Sequence, residues 1–319
     1  MNEQVKETGE VDVGSIRRQL NEIKAAEGLS WPDIERTSGV KRGTLSTFAT
    51  DKYAGDNERV AREVGRWINS RRASATVTAT LPDVPSFRPT PSANEVLALL
   101  RYAHVAQDLC IAVGVPGVGK TSAIDQYVAT TPNVWKLTVS PSVKSVYGLL
   151  VKMCEVMRVS EKNAALLSQR LESYLQDKEG LLVVDEAQHA TMEILEELRS
   201  FSDSAGVGLV LSGNHEILRK LSGSSGRGRY AQLVSRIGGR VVINKLRKAD
   251  IEAIADAWNV TDPQERGFLH RIGGRPGALR NITKTMRLAG LLAQGAEEPR
   301  AIGHIQQAWR QLAGLDETS

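Results

Sequence analysis

Gly114-Val115-Pro116-Gly117-Val118-Gly119-Lys120-Thr121 decides the fold of this chain. The eight residues satisfy G-x-x-x-x-G-K-[ST], a pattern whose glycines let the backbone curl so that successive N–H groups face phosphate oxygens. A helix opening directly after the loop turns its positive N-terminal end on the same phosphates. The flanks supply that setting. Leu109-Cys110-Ile111-Ala112-Val113 is the short apolar run of a buried parallel strand, and Ser122 to Val128 reads as helix. Strand, glycine loop and helix together predict a nucleotide-binding α/β domain. In such a loop Lys120 reaches the β- and γ-phosphates of ATP, and Thr121 holds Mg²⁺ through its hydroxyl.

Composition sets the frame. The chain has 319 residues, enough for one large domain and a small one, with 41% hydrophobic and 24% charged residues, ordinary for a globular protein. Met1 to Val13 is polar and acidic, unlike a signal peptide, and no apolar run nears the ~18 residues a membrane span requires. Cys110 and Cys154 both lie among apolar residues and read as reduced core thiols, so the expected compartment is the cytoplasm. The net charge of +4 is unevenly spread: Arg219 to Gly290 holds 15 Lys and Arg against 5 Asp and Glu. Such a local excess predicts a polyanionic partner, nucleic acid first, over a merely solvated or subunit-facing basic surface.

Working outward from the loop, residues 1–70 read as a small all-α domain. Ser30-Trp31-Pro32-Asp33 is a helix start with a serine cap, and Gly39 is placed to end that helix. The next helix, Lys41 to Phe48, completes a helix-turn-helix pattern and carries Lys41, Arg42, Thr44, Ser46 and Thr47 outward toward phosphates or base edges. A protein-docking role is the plainer alternative. A further helix covers Asn57 to Asn69. Residues 71–92, with Pro82, Pro85, Pro89 and Pro91, read as an extended linker.

Residues 93–246 alternate helix and strand, which implies a parallel sheet covered on both faces. Leu181-Leu182-Val183-Val184-Asp185-Glu186 is an apolar strand ending in two acids. On a strand beside the loop strand, Asp185 would hold Mg²⁺ and Glu186 would polarise the attacking water. Val207 to Asn214 is another strand. Its Asn214 would meet the γ-phosphate or orient water, or else merely cap the following helix. Val241-Val242-Ile243 is the last short strand, and Gly223 to Arg229 is a basic loop. Residues 247–319 read as purely helical, a lid-like subdomain.

Gly114–Thr121, Leu181–Glu186, Ser212-Gly213-Asn214, Ser235-Arg236 and Gly277-Ala278-Leu279-Arg280 resemble the AAA+ ATPases in order and spacing. Further stretches, among them Leu195-Glu196-Glu197-Leu198-Arg199, Gly213-Asn214-His215 and Pro276-Gly277-Ala278-Leu279-Arg280, resemble the Mu B family of phage transposition. The likeness runs over nearly the whole chain. It implies an ATPase that assembles with ATP as a helical filament on double-stranded DNA, without strong sequence preference. The filament would deliver target DNA to a transposase and stimulate strand transfer, and DNA and transposase would stimulate hydrolysis.

By the same resemblance Asn214 is sensor 1, Arg280 is sensor 2 with Arg275 as competitor, and Arg236 is an arginine finger entering a neighbour's site, with Arg227 and Arg229 as competitors. The segment after the second strand would line the DNA-facing pore, here through Ser142, Lys144 and Ser145; its plainer reading is a helix cap. Two other functions share these motifs: a replication loader or initiator, and a DNA-binding regulator that uses ATP only as a switch. Asp185 to His189 also evokes a helicase box, but no second helicase domain follows.

Overall fold

The computed structural model describes residues 12–222 and 231–314. It consists of two units, divided between Pro82 and Asp83. The first unit is helical: α1 (Val13–Ala26), α2 (Trp31–Ser38), α3 (Arg42–Ala49) and α4 (Asn57–Thr80). Ser30 and Asp33 form a reciprocal capping box at the start of α2, and Gly39, at φ 76°, ends it in the left-handed region. Leu20, Ile34, Leu45, Phe48, Val60, Val64 and Ile68 close the core with no exposure.

The expected linker over 71–92 is corrected at both ends. Helix α4 runs to Thr80, because Arg71 to Thr80 holds no breaker and the first proline is Pro82. From Asp83 the chain belongs to the second unit, where Phe87 packs against the core beneath the sheet.

The second unit begins with α5 (Pro91–Ala106), capped by Thr90 and with proline in its first turn. It continues as β1 (Leu109–Gly114), α6 (Lys120–Thr130), β2 (Val134–Thr138), α7 (Val146–Met157), α8 (Leu167–Leu175) and β3 (Leu181–Asp185). A single 3₁₀ turn (Ala187–His189) leads to α9 (Met192–Ala205), β4 (Gly208–Gly213), α10 (His215–Ser222), α11 (Ala231–Ser235) and β5 (Ile237–Ile243). The five strands are all parallel, in the order β2-β3-β4-β1-β5.

Strand periodicity divides the core. Leu109, Ile111 and Val113 face the cluster formed with α7 to α10, while Cys110 and Ala112 face the cluster formed with α5 and α6. Every residue of β1, β3 and β4 is buried, as strands covered on both faces must be.

Two expectations about the sheet change. The acid strand β3 does not flank β1; β4 lies between them. A Cβ at Gly208 would sit 2.1 Å from the Ala103 carbonyl oxygen, so β4 passes under α5 only as glycine. The last strand starts at Ile237, four residues before Val241, and its Gly238 and Gly239 lie where side chains would collide with Asp108 and Cys110.

The lid comprises α12 (Lys248–Ala257), α13 (Pro263–Gly273), α14 (Ala278–Gly295) and α15 (Ile302–Ala313), packed round Phe268, Leu269, Ile282, Met286 and Ile305. Asp250, fully buried on α12, accepts from Ser92 N (2.8 Å), Ser92 Oγ (2.7 Å) and Arg247 N (2.9 Å), fastening the lid to the start of α5. No described helix is long and apolar enough to cross a membrane.

Candidate active site

The loop between β1 and α6 is built on two left-handed glycines, Gly117 at φ 85° and Gly119 at φ 97°. Gly117 meets the lid directly. Its carbonyl accepts from Leu279 N at 3.1 Å, and a Cβ on it would stand 2.0 Å from the Gly277 oxygen. Lys120 Nζ donates to the Gly114 carbonyl at 2.7 Å and to that of Val115 at 3.4 Å, so its ammonium is folded into the loop's concavity. Burial pushes this lysine below its ordinary value, helped by Arg280, while Asp185 and Glu186 pull it upward.

Asp185, 4% exposed at the end of β3, is a hub. Its Oδ2 accepts from Thr121 Oγ1 at 3.0 Å and stands 3.6 Å from Lys136 Nζ; its Oδ1 accepts from Ser212 Oγ at 3.2 Å and Glu186 N at 3.1 Å. The interposed β4 is what brings Ser212 into reach. Hydroxyl and carboxylate side by side are the hard oxygen donors that Mg²⁺ takes together with phosphate oxygens. The residues present therefore fit the ion at Thr121 and Asp185.

Glu186 is exposed in the left-handed region at φ 56°, its carboxylate accepting from Gln188 Nε2. Asn214 Oδ1 accepts from Glu216 N at 2.8 Å, so in this structure it caps α10.

These groups open onto one cleft of about 420 Å³. Gly114, Pro116, Gly117, Lys120, Thr121, Asp185, Glu186, Asn214 and Arg280 line it, as do Phe87 and Arg88 on one side and Ile254 and Trp258 of the lid on another. The polar half can take phosphates and the apolar half a flat ring. Val115 and Val118 lie on the loop's other face, toward the core beneath α5 and α6. Arg275, exposed in the turn before α14, is not among the lining residues.

A family model described as an AAA domain matches residues 103–221, and one described as Mu B transposition protein, C terminal, matches residues 235–312. The chain is 36% identical to the ATP-dependent target DNA activator B of Escherichia phage Mu, over 95% of this chain and 96% of that one. The chain belongs to the Mu B family. A Mu-like prophage DNA transposition protein B from Haemophilus influenzae is 33% identical over 86% of this chain and 94% of its own. Among solved structures, the Aeropyrum pernix ORC2 protein in its ADP form aligns with a TM-score of 0.53 at 16% identity, covering 71% of this chain and 70% of that one. Drosophila ORC bound to DNA aligns at 0.52 and 16%, covering 72% and 63%. At such identities the likeness is one of fold.

Outside the cleft, this Mu B-family chain scatters its remaining candidates. Arg236 sits between α11 and β5 with its side chain 62% exposed, 3.6 Å from Asp203. It is not among the residues that line its own chain's cleft. Arg227 and Arg229 lie outside the described residues. Ser142 and Lys144 are exposed on the turn before α7; Ser145 caps that helix by accepting from Gly148 N at 3.2 Å. At the start of α3, Lys41 and Arg42 are exposed, whereas Ser46 and Thr47 spend their hydroxyls on the Gly43 carbonyl.

Three features escaped the reading of the sequence. Lys136, a lone cation within apolar β2, bridges Asp125 at 2.6 Å and Asp185; a lysine inside a strand was the available signal. Gln188 falls within the Asp185–His189 stretch, but that pattern gave it no role of its own. Arg59 and Arg66 of α4 line a groove of about 770 Å³ that also holds Lys41 and Thr44, with Arg62 on the same flank. Their spacing of three and four residues was legible as one helix face.

Proposed function

We propose that this chain is an ATP-dependent target-DNA activator of transposition. It binds ATP in the cleft between sheet and lid, assembles on double-stranded DNA as a filament, and hands that DNA to a transposase whose strand transfer it stimulates. One observation carries the reading. Lys120, the Thr121–Asp185 pair, Glu186 and Arg280 converge on a single cleft in a chain that matches the phage Mu activator over nearly its whole length.

The residues divide the work by their chemistry. The amides of Gly117 to Lys120 and the Lys120 ammonium hold the triphosphate, and Arg280, on the lid, closes over it. Thr121 and Asp185 would hold Mg²⁺, which would supply neutralising charge beside the phosphates. Glu186 accepts a proton from the attacking water, and Asn214 orients that water or reads the γ-phosphate. Arg236 completes the neighbour's site in trans, so turnover follows assembly. Sequence-neutral contact with DNA falls to Lys144, Ser142 and Ser145 in the AAA+ unit. In the N-terminal unit it falls to Lys41, Arg42 and Thr44, with Arg59, Arg62 and Arg66 bordering the same groove. Phosphate contacts of this kind make affinity fall steeply with salt.

Electron microscopy with and without ATP and duplex DNA tests the assembly. Filaments that need nucleotide are expected, and Glu186→Gln should build them while abolishing hydrolysis and slowing release. Discrete monomers under every condition would refute the assembly model; full hydrolysis by Glu186→Gln would remove the base.

A further inference from the structure

Gln188 lies immediately behind the acid pair and belongs to neither the strand nor the cleft lining. It is 7% exposed. Its Nε2 donates to Glu186 Oε2, and its Oε1 accepts from the backbone N–H of Asn214 at 3.4 Å. The partners fix the amide's orientation: a carboxylate can only accept and a backbone N–H can only donate. The contact is also close-fitting, since a Cβ on Gly213 would meet Gln188 Oε1 at 2.5 Å. Lys220 Nζ pins the turn's backbone, donating to the carbonyls of Gln188 at 3.0 Å and Ala190 at 2.6 Å.

We infer that Gln188 is the positioning residue for Glu186, tying the carboxylate to the end of β4 where Asn214 stands. The proposal rests on Glu186 being the base. Glu186 sits in a left-handed conformation that a non-glycine residue keeps only when its surroundings hold it. Exposed at the mouth of the cleft, its carboxylate has many directions available; the Gln188 amide selects one. Because the same amide touches Asn214 N, any shift at the end of β4 is passed to the base. The γ-phosphate sensor and the water-activating group thus move as one.

The test uses the full chain with duplex DNA, reading kcat at saturating ATP and Mg²⁺ beside the affinity for a fluorescent ATP analogue. Gln188→Met keeps the volume and loses both hydrogen bonds. Gln188→Glu still accepts from Asn214 N but cannot donate to Glu186. Gly213→Ala displaces the Gln188 amide without altering it. Each should lower kcat by roughly tenfold or more with analogue affinity held within about twofold. Gln188→Met added to Glu186→Gln should lower turnover no further.

Wild-type kcat in both Gln188 variants, with Glu186→Gln inactive, would overturn the inference while sparing the base. Equal losses of kcat and affinity, tracking a lowered melting temperature, would overturn it as a merely structural effect. Full turnover by Glu186→Gln would instead remove the reading beneath it.

Discussion

At the scale of single residues, the site is set by two groups whose surroundings leave them little freedom. Gly117 touches the lid backbone so closely that Gly117→Ala has no flexible side chain to push aside, only the Gly277 carbonyl. With its φ of 85°, the substitution should cost about 2 kcal/mol or more. It should also break the Leu279–Gly117 bond, visible as a lowered melting temperature and lost nucleotide binding. Lys120 allows a prediction in pH. Its value is lowered from the ordinary 10.5, first by burial and then by Arg280. A lysine lowered in this way sheds its proton sooner as pH rises. Nucleotide affinity, which needs the charge, should therefore begin to fall below the pH at which a free lysine titrates. Arg280→Ala should weaken binding overall yet move that alkaline limb upward; a titration of ATP-analogue affinity between neutral and alkaline pH reads both. The loop itself was legible because every part of its chemistry is local: eight consecutive residues carry glycines, lysine and hydroxyl. Gln188 was not, because its role depends on Asn214 and Gly213, which only the pairing of strands brings near.

Elements show the same division between local and distant causes. Helix α2 was readable to its caps, since Ser30, Asp33 and Gly39 act on their own backbone. Strand β5 was read too short because Gly238-Gly239 argues against a strand in isolation, and only the neighbours Asp108 and Cys110 explain why nothing larger fits. The place of β4 between β1 and β3 follows from crossover geometry that no local pattern encodes. The fastening of lid to core is of this second kind. Asp250 would have passed for a surface acid in the first turn of α12, yet it has no exposure and answers three donors from Ser92 and Arg247. Asp250→Ala leaves those donors without a partner in a place water does not reach, at a cost of about 3 kcal/mol. Calorimetry should register that loss. Asp250→Asn should recover part of it, since one oxygen remains to accept.

On the scale of the whole molecule, the finger role proposed for Arg236 predicts that one chain cannot finish the reaction. The cleft brings together Lys120, Thr121, Asp185, Glu186, Asn214 and Arg280 but not Arg236, whose exposed side chain stands 3.6 Å from Asp203 of its own chain. A cation placed outward on a AAA+ unit is available to another copy's triphosphate, and the sequence resemblance gives Arg236 that role. Two variants separate action in trans from action in cis. Glu186→Gln lacks a working base but presents an intact Arg236; Arg236→Ala lacks the arginine but keeps an intact cleft. Each alone should hydrolyse ATP poorly. Mixed in equal amounts with DNA, they should assemble at random, so that roughly a quarter of interfaces pair an intact cleft with an intact arginine. Hydrolysis should then rise well above the sum of the separate rates, and should fall again on dilution below the assembly threshold. A mixture no more active than its parts, with filaments still visible by electron microscopy, would place the finger on another residue, and the same mixing experiment with Arg240→Ala, the next exposed arginine along β5, would be the comparison to make.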